Sequence, residues 1–285
     1  MIGQSKVLND LLLIADRFPR FVLLLGTKHS GKKLLALTIS TSILKLPYVT
    51  IESGVEEIRG MKQTALQYRN GIVYIIPDIE EISGSAANAL LKILEEPPKK
   101  AYFIATASNK ETVLPTILSR ADSWFLNNYT PKELDEYIKI LEDKKDKAFS
   151  VEEKKILKNT CSTPGMINLI CQYDIIELYE YAEKIINNIY KVSGANALKA
   201  IGKLKLKADD DGYELEPFFR IILSVLVEKS LNAFMDNPEF LNLCKCITAT
   251  IQLLNKLYIK GIHKTALVDD WILVVRKIYQ EEGEE

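Results

Sequence analysis

Short apolar runs alternate with helical periodicities over the first part of the chain. The runs are apolar at nearly every position and lie at 21–25, 48–51, 72–76 and 101–107. Runs of this kind are typical of strands that a parallel sheet buries on both faces. The segments between them carry apolar residues at helical spacing, in 32–45, 55–69 and 85–96. This alternation predicts an α/β domain, with a parallel sheet and helices on both faces.

The strand pattern ends near residue 128, and only helical patterns follow. Thr130 before Pro131 is typical of a helix start, because threonine caps the first turn and proline suits the first helical position. Three short helices are predicted between 130 and 175, and longer ones after 176. The chain is therefore predicted to have three domains: α/β over 1–128, small helical over 129–175, and all-helical over 176–285.

Composition narrows the function classes. The 285 residues are 47% hydrophobic, which suffices for a buried core. The formal net charge is −1, so no overall basic field draws the chain to nucleic acid or membrane. No apolar run is long enough to span a membrane, and the N-terminus lacks the layout of a signal peptide. We therefore expect a cytoplasmic protein with no membrane partner.

The cysteines are too scattered for a metal site. They stand at Cys161, Cys171, Cys244 and Cys246, and they form no pair of C-x-x-C clusters. The histidines, His29 and His263, are far from them in sequence. Zinc sites need four close ligands, so we expect no metal. Four thiols without a signal peptide favour a reducing compartment.

The stretch "GTKHSGKK", from Gly26 to Lys33, nearly completes the phosphate-binding pattern G-x-x-x-x-G-K-[ST]. Such a loop aims backbone N–H groups at phosphates at the start of a helix, and Lys32 would reach the terminal phosphates. Lys33 replaces the hydroxyl that holds Mg²⁺, and an ammonium has no acceptor. The pattern also arises by chance in a lysine-rich chain, but the preceding strand and following helix favour a true P-loop position.

A second departure follows the apolar run at 72–76. ATPases of this type place acidic residues there to hold Mg²⁺ and polarise the attacking water. In this chain Pro77 takes the position of the metal-linked aspartate, and Asp78 takes the next, which is usually glutamate. Since phosphoryl transfer depends on metal charge and positioning, hydrolysis at this site should be very poor.

Six further motifs follow one another along the chain: "IGQ" (2–4), "VEEIRGMKQTAL" (55–66), "SAANALLKILEEPP" (85–98), "YFIATAS" (102–108), "VLPTILSRA" (113–121) and "STPGMINLI" (162–170). They resemble the motifs of the bacterial clamp-loader ATPases, the gamma/tau and delta-prime subunits of DNA polymerase III within the AAA+ class. The resemblance is dense over 1–128 and weaker afterwards. It implies an AAA+ module followed by a helical lid and a helical collar that joins a ring.

The resemblance also implies roles for single residues. Gly26, Gly31 and Lys32 match the Walker A loop, with Lys33 departing. Pro77 and Asp78 match the Walker B pair, with Pro77 departing. Thr106 to Ser108 lie where the sensor-1 polar residue stands. Met166 or a neighbour stands where sensor 2 places an arginine.

Arg120 matches the arginine of the family's Ser-Arg-Cys motif, which acts on ATP bound by the neighbouring subunit; Ala121 replaces the cysteine. The departures all damage the chain's own ATP site, whereas the group that acts on a neighbour is intact. That pattern favours the delta-prime branch over gamma/tau. The cysteine module that many family members carry between Walker A and Walker B is absent.

The sequence therefore predicts a non-hydrolysing clamp-loader subunit that donates an arginine finger and helps load a sliding clamp onto primed DNA. Its partners would be gamma/tau-like and delta-like subunits, with clamp and DNA contacted through the complex. ATP binding without hydrolysis stays open. The alternatives are an ATP-hydrolysing gamma/tau-like subunit and an AAA+-derived adaptor outside replication. Arg120 could also be an ordinary surface arginine.

Overall fold

The computed structural model describes residues 2–51, 54–146, 148–189, 215–233, 238–259 and 262–280. Contacts divide the chain into two compact units. The first comprises Met1–Tyr137 with Thr163–Gly165, and the second comprises Ile138–Ser162 with Met166–Glu285. The predicted boundary at 175/176 lies inside the second unit. A division into three domains, including a collar partly outside the described residues, stays a prediction.

The first unit is built on a parallel sheet. Its strands are β1 (Phe21–Leu25), β2 (Tyr48–Thr50), β3 (Ile72–Ile76), β4 (Ala101–Ala107) and β5 (Asp122–Phe125). In the described chain they form one five-stranded sheet in the order β2-β3-β4-β1-β5. Each of the four predicted apolar runs is a strand, and the α/β fold class is confirmed.

The apolar runs are strands because both faces of the sheet are covered. In β1, Phe21, Leu23 and Leu25 belong to one hydrophobic cluster, while Val22 and Leu24 belong to another. All five side chains are buried. Since successive side chains point to opposite faces, a strand buried on both sides needs apolar residues at every position.

The sequence pattern missed β5, which lies at a sheet edge beside β1. Its residues Asp122 to Phe125 pair in parallel with Val22 to Leu25. Its side chains are exposed or half-buried, and the segment "DSWF" contains a charged and a hydroxyl residue. An edge strand of this kind lacks the continuous apolar run by which the other strands were predicted.

Helices lie at the three predicted places in this part of the chain, and α1 and α5 were not predicted. The described α-helices of this part are α1 (Ser5–Leu13), α2 (Lys32–Thr38), α3 (Val55–Gln67), α4 (Gly84–Glu95) and α5 (Pro115–Leu118). The predicted helix after β1 changes to a π-helical turn at Ile39–Ile43. Helix α4 begins at a Ser83 cap, whose hydroxyl accepts from the Ala86 N–H, and it ends before Pro97.

After the sheet the described chain is helical, as predicted. The helices are α6 (Pro131–Lys145), α7 (Val151–Thr160), α8 (Pro164–Ile170), α9 (Ile175–Asn188), α10 (Leu215–Asn232), α11 (Pro238–Lys256) and α12 (Lys264–Gln280). Thr130 and Glu133 form the expected start of α6: the Thr130 N–H donates to Glu133 (2.7 Å), and the Glu133 N–H donates back to the threonine hydroxyl (3.3 Å). None of the described helices is long and apolar enough to span a membrane.

The second unit has an aromatic core. Phe218 and Phe219 of α10 are buried, and Phe219 meets Trp271 of α12 edge to face, with ring centroids 5.1 Å apart. The Trp271 indole N–H donates to the Thr250 hydroxyl of α11 at 3.0 Å. A buried tryptophan needs such a partner for its one donor, so this contact fixes how α11 and α12 pack.

Candidate functional site

The loops that follow β1, β3 and β4 meet at one edge of the sheet. Leu25, the last residue of β1, pairs with Ala107, and Ile76, the last residue of β3, pairs with Ala105. Because the strands are parallel, their carboxyl ends share this edge, which is where open α/β sheets bind ligands. The predicted Walker A, Walker B and sensor-1 segments are therefore brought together.

The loop after β1 has the backbone of a phosphate-binding turn. Gly31 has φ +91°, a left-handed conformation that favours glycine, and caps α2. A Cβ on Gly26 would lie 2.9 Å from the Ser30 hydroxyl oxygen and 3.0 Å from the Leu126 Cβ. The two glycines of the pattern are thus required by backbone conformation and by close packing, respectively.

Lys32, the first residue of α2, is buried against its own loop. Its ammonium donates to the Gly26 carbonyl at 2.7 Å and the Thr27 carbonyl at 2.9 Å. Burial lowers the pKa of Lys32, and the nearby carboxylates of Asp78 and Glu80 partly oppose that shift. Lys33, the next residue, is exposed and brings no hydroxyl to this edge.

The segment after β3 is tied to the end of β4 by two hydrogen bonds. Asp78 has φ +45°, and its backbone N–H donates to the buried Thr106 hydroxyl at 3.0 Å. The Ser108 N–H donates to Glu80 Oε1 at 2.7 Å. Pro77 stands between β3 and this pair of contacts and brings no carboxylate. The predicted Walker B and sensor-1 positions therefore contact each other directly.

Glu80 was missed by the sequence analysis, although it lies in the acidic run "PDIEE" directly after a buried strand. Three buried side-chain atoms in these loops have no hydrogen-bond partner among the described residues: Ser30 Oγ, Glu80 Oε2 and Ser108 Oγ. Buried polar atoms without partners are costly, so a polar ligand or water suits this edge. The Ser30 and Ser108 hydroxyls can donate to a phosphate group, whereas the Glu80 carboxylate oxygen needs a donor such as water. The hydroxyl and aspartate that hold Mg²⁺ are both replaced.

A further backbone segment packs on the loop. Thr163–Gly165 belong to the first unit. The Gly165 N–H donates to the His29 carbonyl at 3.2 Å, and a Cβ on Gly165 would lie 2.5 Å from that oxygen. Met166, at the predicted sensor-2 position, is a buried apolar side chain. It therefore supplies no cationic group.

Arg120 lies in a different group of contacts. It follows α5, and its guanidinium donates from Nη2 to Glu95 Oε1 at 2.7 Å and from Nη1 to the Thr116 carbonyl at 2.8 Å. The Arg120 side chain is 35% exposed. None of the Walker A, Walker B or sensor-1 residues is among its partners. Sequence reasoning predicted the exposed arginine but missed Glu95.

The described residues also contain a cavity outside the predicted site. A cavity of about 440 Å³ lies in the second unit, lined by residues of α7 and α10 that include Thr160, Arg220 and Glu228. No predicted site residue lines it. In the described parts of the chain, no group of three or more histidine, cysteine or acidic residues could hold a metal ion.

Comparisons with known proteins agree with the motifs. The family model described as "DNA polymerase III, delta subunit" matches residues 48–130. DNA polymerase III subunit delta' of Haemophilus influenzae is 37% identical over 78 residues, which cover 26% of this chain and 24% of the relative. DNA polymerase III subunit gamma of Buchnera aphidicola is 28% identical over 133 residues, which cover 47% and 35%. The resemblance to the delta-prime family is confirmed.

The matched segments span between 14% and 35% of the length of the curated relatives. Solved structures extend the likeness of fold. A DNA polymerase III gamma subunit-related protein from Thermotoga maritima superposes with a TM-score of 0.51 at 16% identity, covering 95% of this chain and 98% of its own. A mutant of RuvB from the same organism gives 0.52 at 20% identity, covering 82% and 79%. At these identities the matches show a shared fold.

Proposed function

We propose that this chain is a delta-prime-like clamp-loader subunit of a DNA polymerase III-type replicase. Its own nucleotide site does not hydrolyse ATP, and Arg120 acts as an arginine finger on ATP held by a neighbouring subunit. Its partners are gamma/tau-like and delta-like chains in the cytoplasm. Through them it helps load a sliding clamp onto primed DNA.

One contrast carries the proposal. The positions that would serve the chain's own Mg²⁺–ATP hold Lys33 and Pro77, neither of which can bind a metal ion. Arg120, by contrast, keeps a planar guanidinium at the surface, anchored on Glu95 and Thr116. A guanidinium suits the charge that develops on a phosphoryl group in transfer. The chain therefore retains what acts on a neighbour and lacks what acts on itself.

The competing gamma/tau-like function has one feature in its favour. The loop keeps Gly31 in its left-handed conformation and Lys32 at the start of α2, so phosphate binding is supported. Turnover needs more, because the metal organises the transferred group. ATP binding without hydrolysis is compatible with the proposed function.

The isolated chain distinguishes these two functions. We expect no Mg²⁺-dependent ATP turnover above background, whether or not ATP binds. Lys32→Ala serves as the control for contaminating ATPases, since it removes the loop's phosphate-binding cation. Turnover by the wild-type chain that Lys32→Ala abolishes would contradict the proposal and establish the gamma/tau-like alternative.

An adaptor outside replication is distinguished by its partners. Tagged full-length chain, co-expressed with its neighbours from the same source, should recover gamma/tau-like and delta-like subunits at fixed stoichiometry. The recovered complex should show DNA-stimulated ATPase activity. Recovery of the chain with none of these subunits would overturn the clamp-loader assignment.

A further inference from the structure

We propose that Glu95 is a positioning residue for Arg120. It holds the guanidinium at the end of α4 so that the donors left over, Nε–H first among them, are presented to a phosphate group of a neighbouring chain. This inference deepens the proposed function and rests on it.

The contacts fix the guanidinium from two sides. Glu95 is the last residue of α4, and its Oε1 accepts from Arg120 Nη2 at 2.7 Å. Thr116 lies in α5, and its carbonyl accepts from Nη1 at 2.8 Å. A longer contact of 3.4 Å joins Nη1 to the Ser119 hydroxyl. The side chain therefore bridges two helices instead of extending freely from one.

This arrangement leaves donors for a ligand. A guanidinium carries five N–H groups in a rigid planar fork. Among the described residues, Arg120 Nε has no hydrogen-bond acceptor, and the contacts above use only Nη1 and Nη2. Nη2 also carries a second hydrogen besides the one that it donates to Glu95. These remaining N–H groups can donate to phosphate oxygens, which arginine binds strongly.

Glu95 contributes by restricting the arginine before the phosphate arrives. A free arginine side chain has many rotamers and loses that freedom on binding. The pair with Glu95 removes part of it beforehand, which is preorganisation. Since the side chains are 35% and 53% exposed, the pair is a weak surface interaction. The expected effect is therefore modest.

The adjacent residue Glu96 provides a matched control. It is exposed and carries the same charge, but Arg120 makes no contact with it. Glu95→Ala removes both charge and acceptor, whereas Glu95→Gln keeps an acceptor oxygen in the same place. Comparison of Glu95→Ala with Glu96→Ala separates positioning of Arg120 from a general change in surface charge.

The test measures DNA-stimulated ATPase of the complete complex rebuilt with each variant. Glu95→Ala should lower kcat by about two- to five-fold, the range expected for an exposed ion pair. The KM for ATP should be unchanged, because another chain binds the nucleotide. Glu95→Gln should recover most of the rate, and Glu96→Ala should match the wild type. In an Arg120→Ala background, Glu95→Ala should have no further effect.

The outcomes separate this inference from the proposed function. If Arg120→Ala lowers the rate but Glu95→Ala does not, the positioning role fails and the finger role stands. A rate increase with Glu95→Ala, or an equal loss in the Arg120→Ala background, also overturns the positioning role. If Arg120→Ala itself has no effect in a complete complex, the proposed function fails.

A second measurement does not depend on the complex. In the isolated full-length chain, ¹⁵N relaxation of the Arg120 Nε–H group reports how tightly the guanidinium is held. Glu95→Ala should make this group more mobile, and Glu96→Ala should leave it unchanged. Equal mobility in wild type and Glu95→Ala would show that Glu95 does not position Arg120.

Discussion

The loop after β1 and the segment after α5 both belong to the first unit, and each carries a cationic side chain. The two side chains differ in burial and in hydrogen bonding. Lys32 is 7% exposed and bonded to carbonyls of its own loop. The Arg120 side chain is 35% exposed, and its Nε has no acceptor among the described residues. We propose that the first cation stabilises the chain that contains it and that the second acts on another molecule. Substitutions at Lys32 should therefore affect stability, and substitutions at Arg120 should affect activity.

The largest effect is expected at Arg120 under the proposed function. Arginine fingers are worth on the order of 10³ or more in rate at the site they serve. Arg120→Ala should remove that contribution from one site of the complex, so the loss in total ATPase is smaller. Arg120→Lys should not restore the rate, because a point charge cannot replace the planar fork. The steady-state ATPase rates of complexes rebuilt with each variant test both expectations.

Stability provides the control for that experiment. Arg120→Ala removes an exposed ion pair with Glu95, which should change the free energy of unfolding by only about 0.2–1 kcal/mol. Arg120→Ala should therefore unfold at nearly the wild-type denaturant midpoint. A large loss of stability in this variant would show that any activity change comes from the fold and not from a missing finger.

The next largest effect is expected at Gly165, which packs on the loop after β1. A Cβ at position 165 would lie 2.5 Å from the His29 carbonyl oxygen, which is backbone and cannot rotate away. Gly165→Ala should cost about 1–3 kcal/mol in the free energy of unfolding, as expected for overpacking. Denaturant titration of the full chain measures it.

Gly60 offers a matched substitution in open space. It lies inside α3, and a Cβ there would meet nothing within 4 Å. Gly60→Ala should stabilise the chain by about 0.5–1 kcal/mol, since alanine is the better helix residue. Destabilisation by both variants to the same extent would mean that the loop packing is not the cause.

Lys32 should contribute to stability through its two carbonyl partners. Lys32→Met keeps much of the side-chain length but leaves the Gly26 and Thr27 carbonyls without this donor. Loss of hydrogen bonds to a charged group should cost about 1–3 kcal/mol. Lys33→Met, at the exposed neighbour, should change the free energy of unfolding by less than about 0.5 kcal/mol. Equal effects of the two variants would contradict a structural role for Lys32.

The difference in free energy of unfolding between wild type and Lys32→Met should also depend on pH. This effect is smaller, and its direction can be predicted. Burial lowers the pKa of Lys32 from its ordinary value of 10.5. The unfolded chain then binds the proton more tightly, so the stability contributed by this group is complete above 10.5 and decreases as pH falls through the lowered pKa of the folded chain. The stability gap between wild type and Lys32→Met should therefore widen as pH rises from neutral towards 10.5. A gap that narrows over this range would mean that the Lys32 pKa is not lowered.

The sequence predicts a strand or helix when the residues of that element alone carry the pattern. The strands β1, β3 and β4 are continuous apolar runs, and burial on both faces leaves no other pattern open to them. The edge strand β5 is short, polar and half-exposed, so its pairing with β1 depends on the rest of the fold. The helix start at Thr130 was predicted because capping is a local interaction.

The candidate site was likewise predictable only where neighbouring residues in the sequence form the motif. Lys32 and Arg120 follow from motif positions, and the Lys32 partners lie in its own loop. Two other contacts join residues that are distant in sequence. Glu80 contacts Ser108 across two strands, and Glu95 contacts Arg120 across two helices. Nothing local marks Glu95 as different from Glu96. Only the packing of α4 beside α5 determines which of the two glutamates faces the arginine.

The central claim is that this chain acts on a neighbour's nucleotide and not on its own. The most direct test compares DNA-stimulated ATPase of two complete complexes, one rebuilt with Lys32→Ala and one with Arg120→Ala. We expect a wild-type rate for Lys32→Ala, provided the variant assembles, and a reduced rate for Arg120→Ala. A reduced rate for Lys32→Ala in an assembled complex, with a wild-type rate for Arg120→Ala, would contradict it.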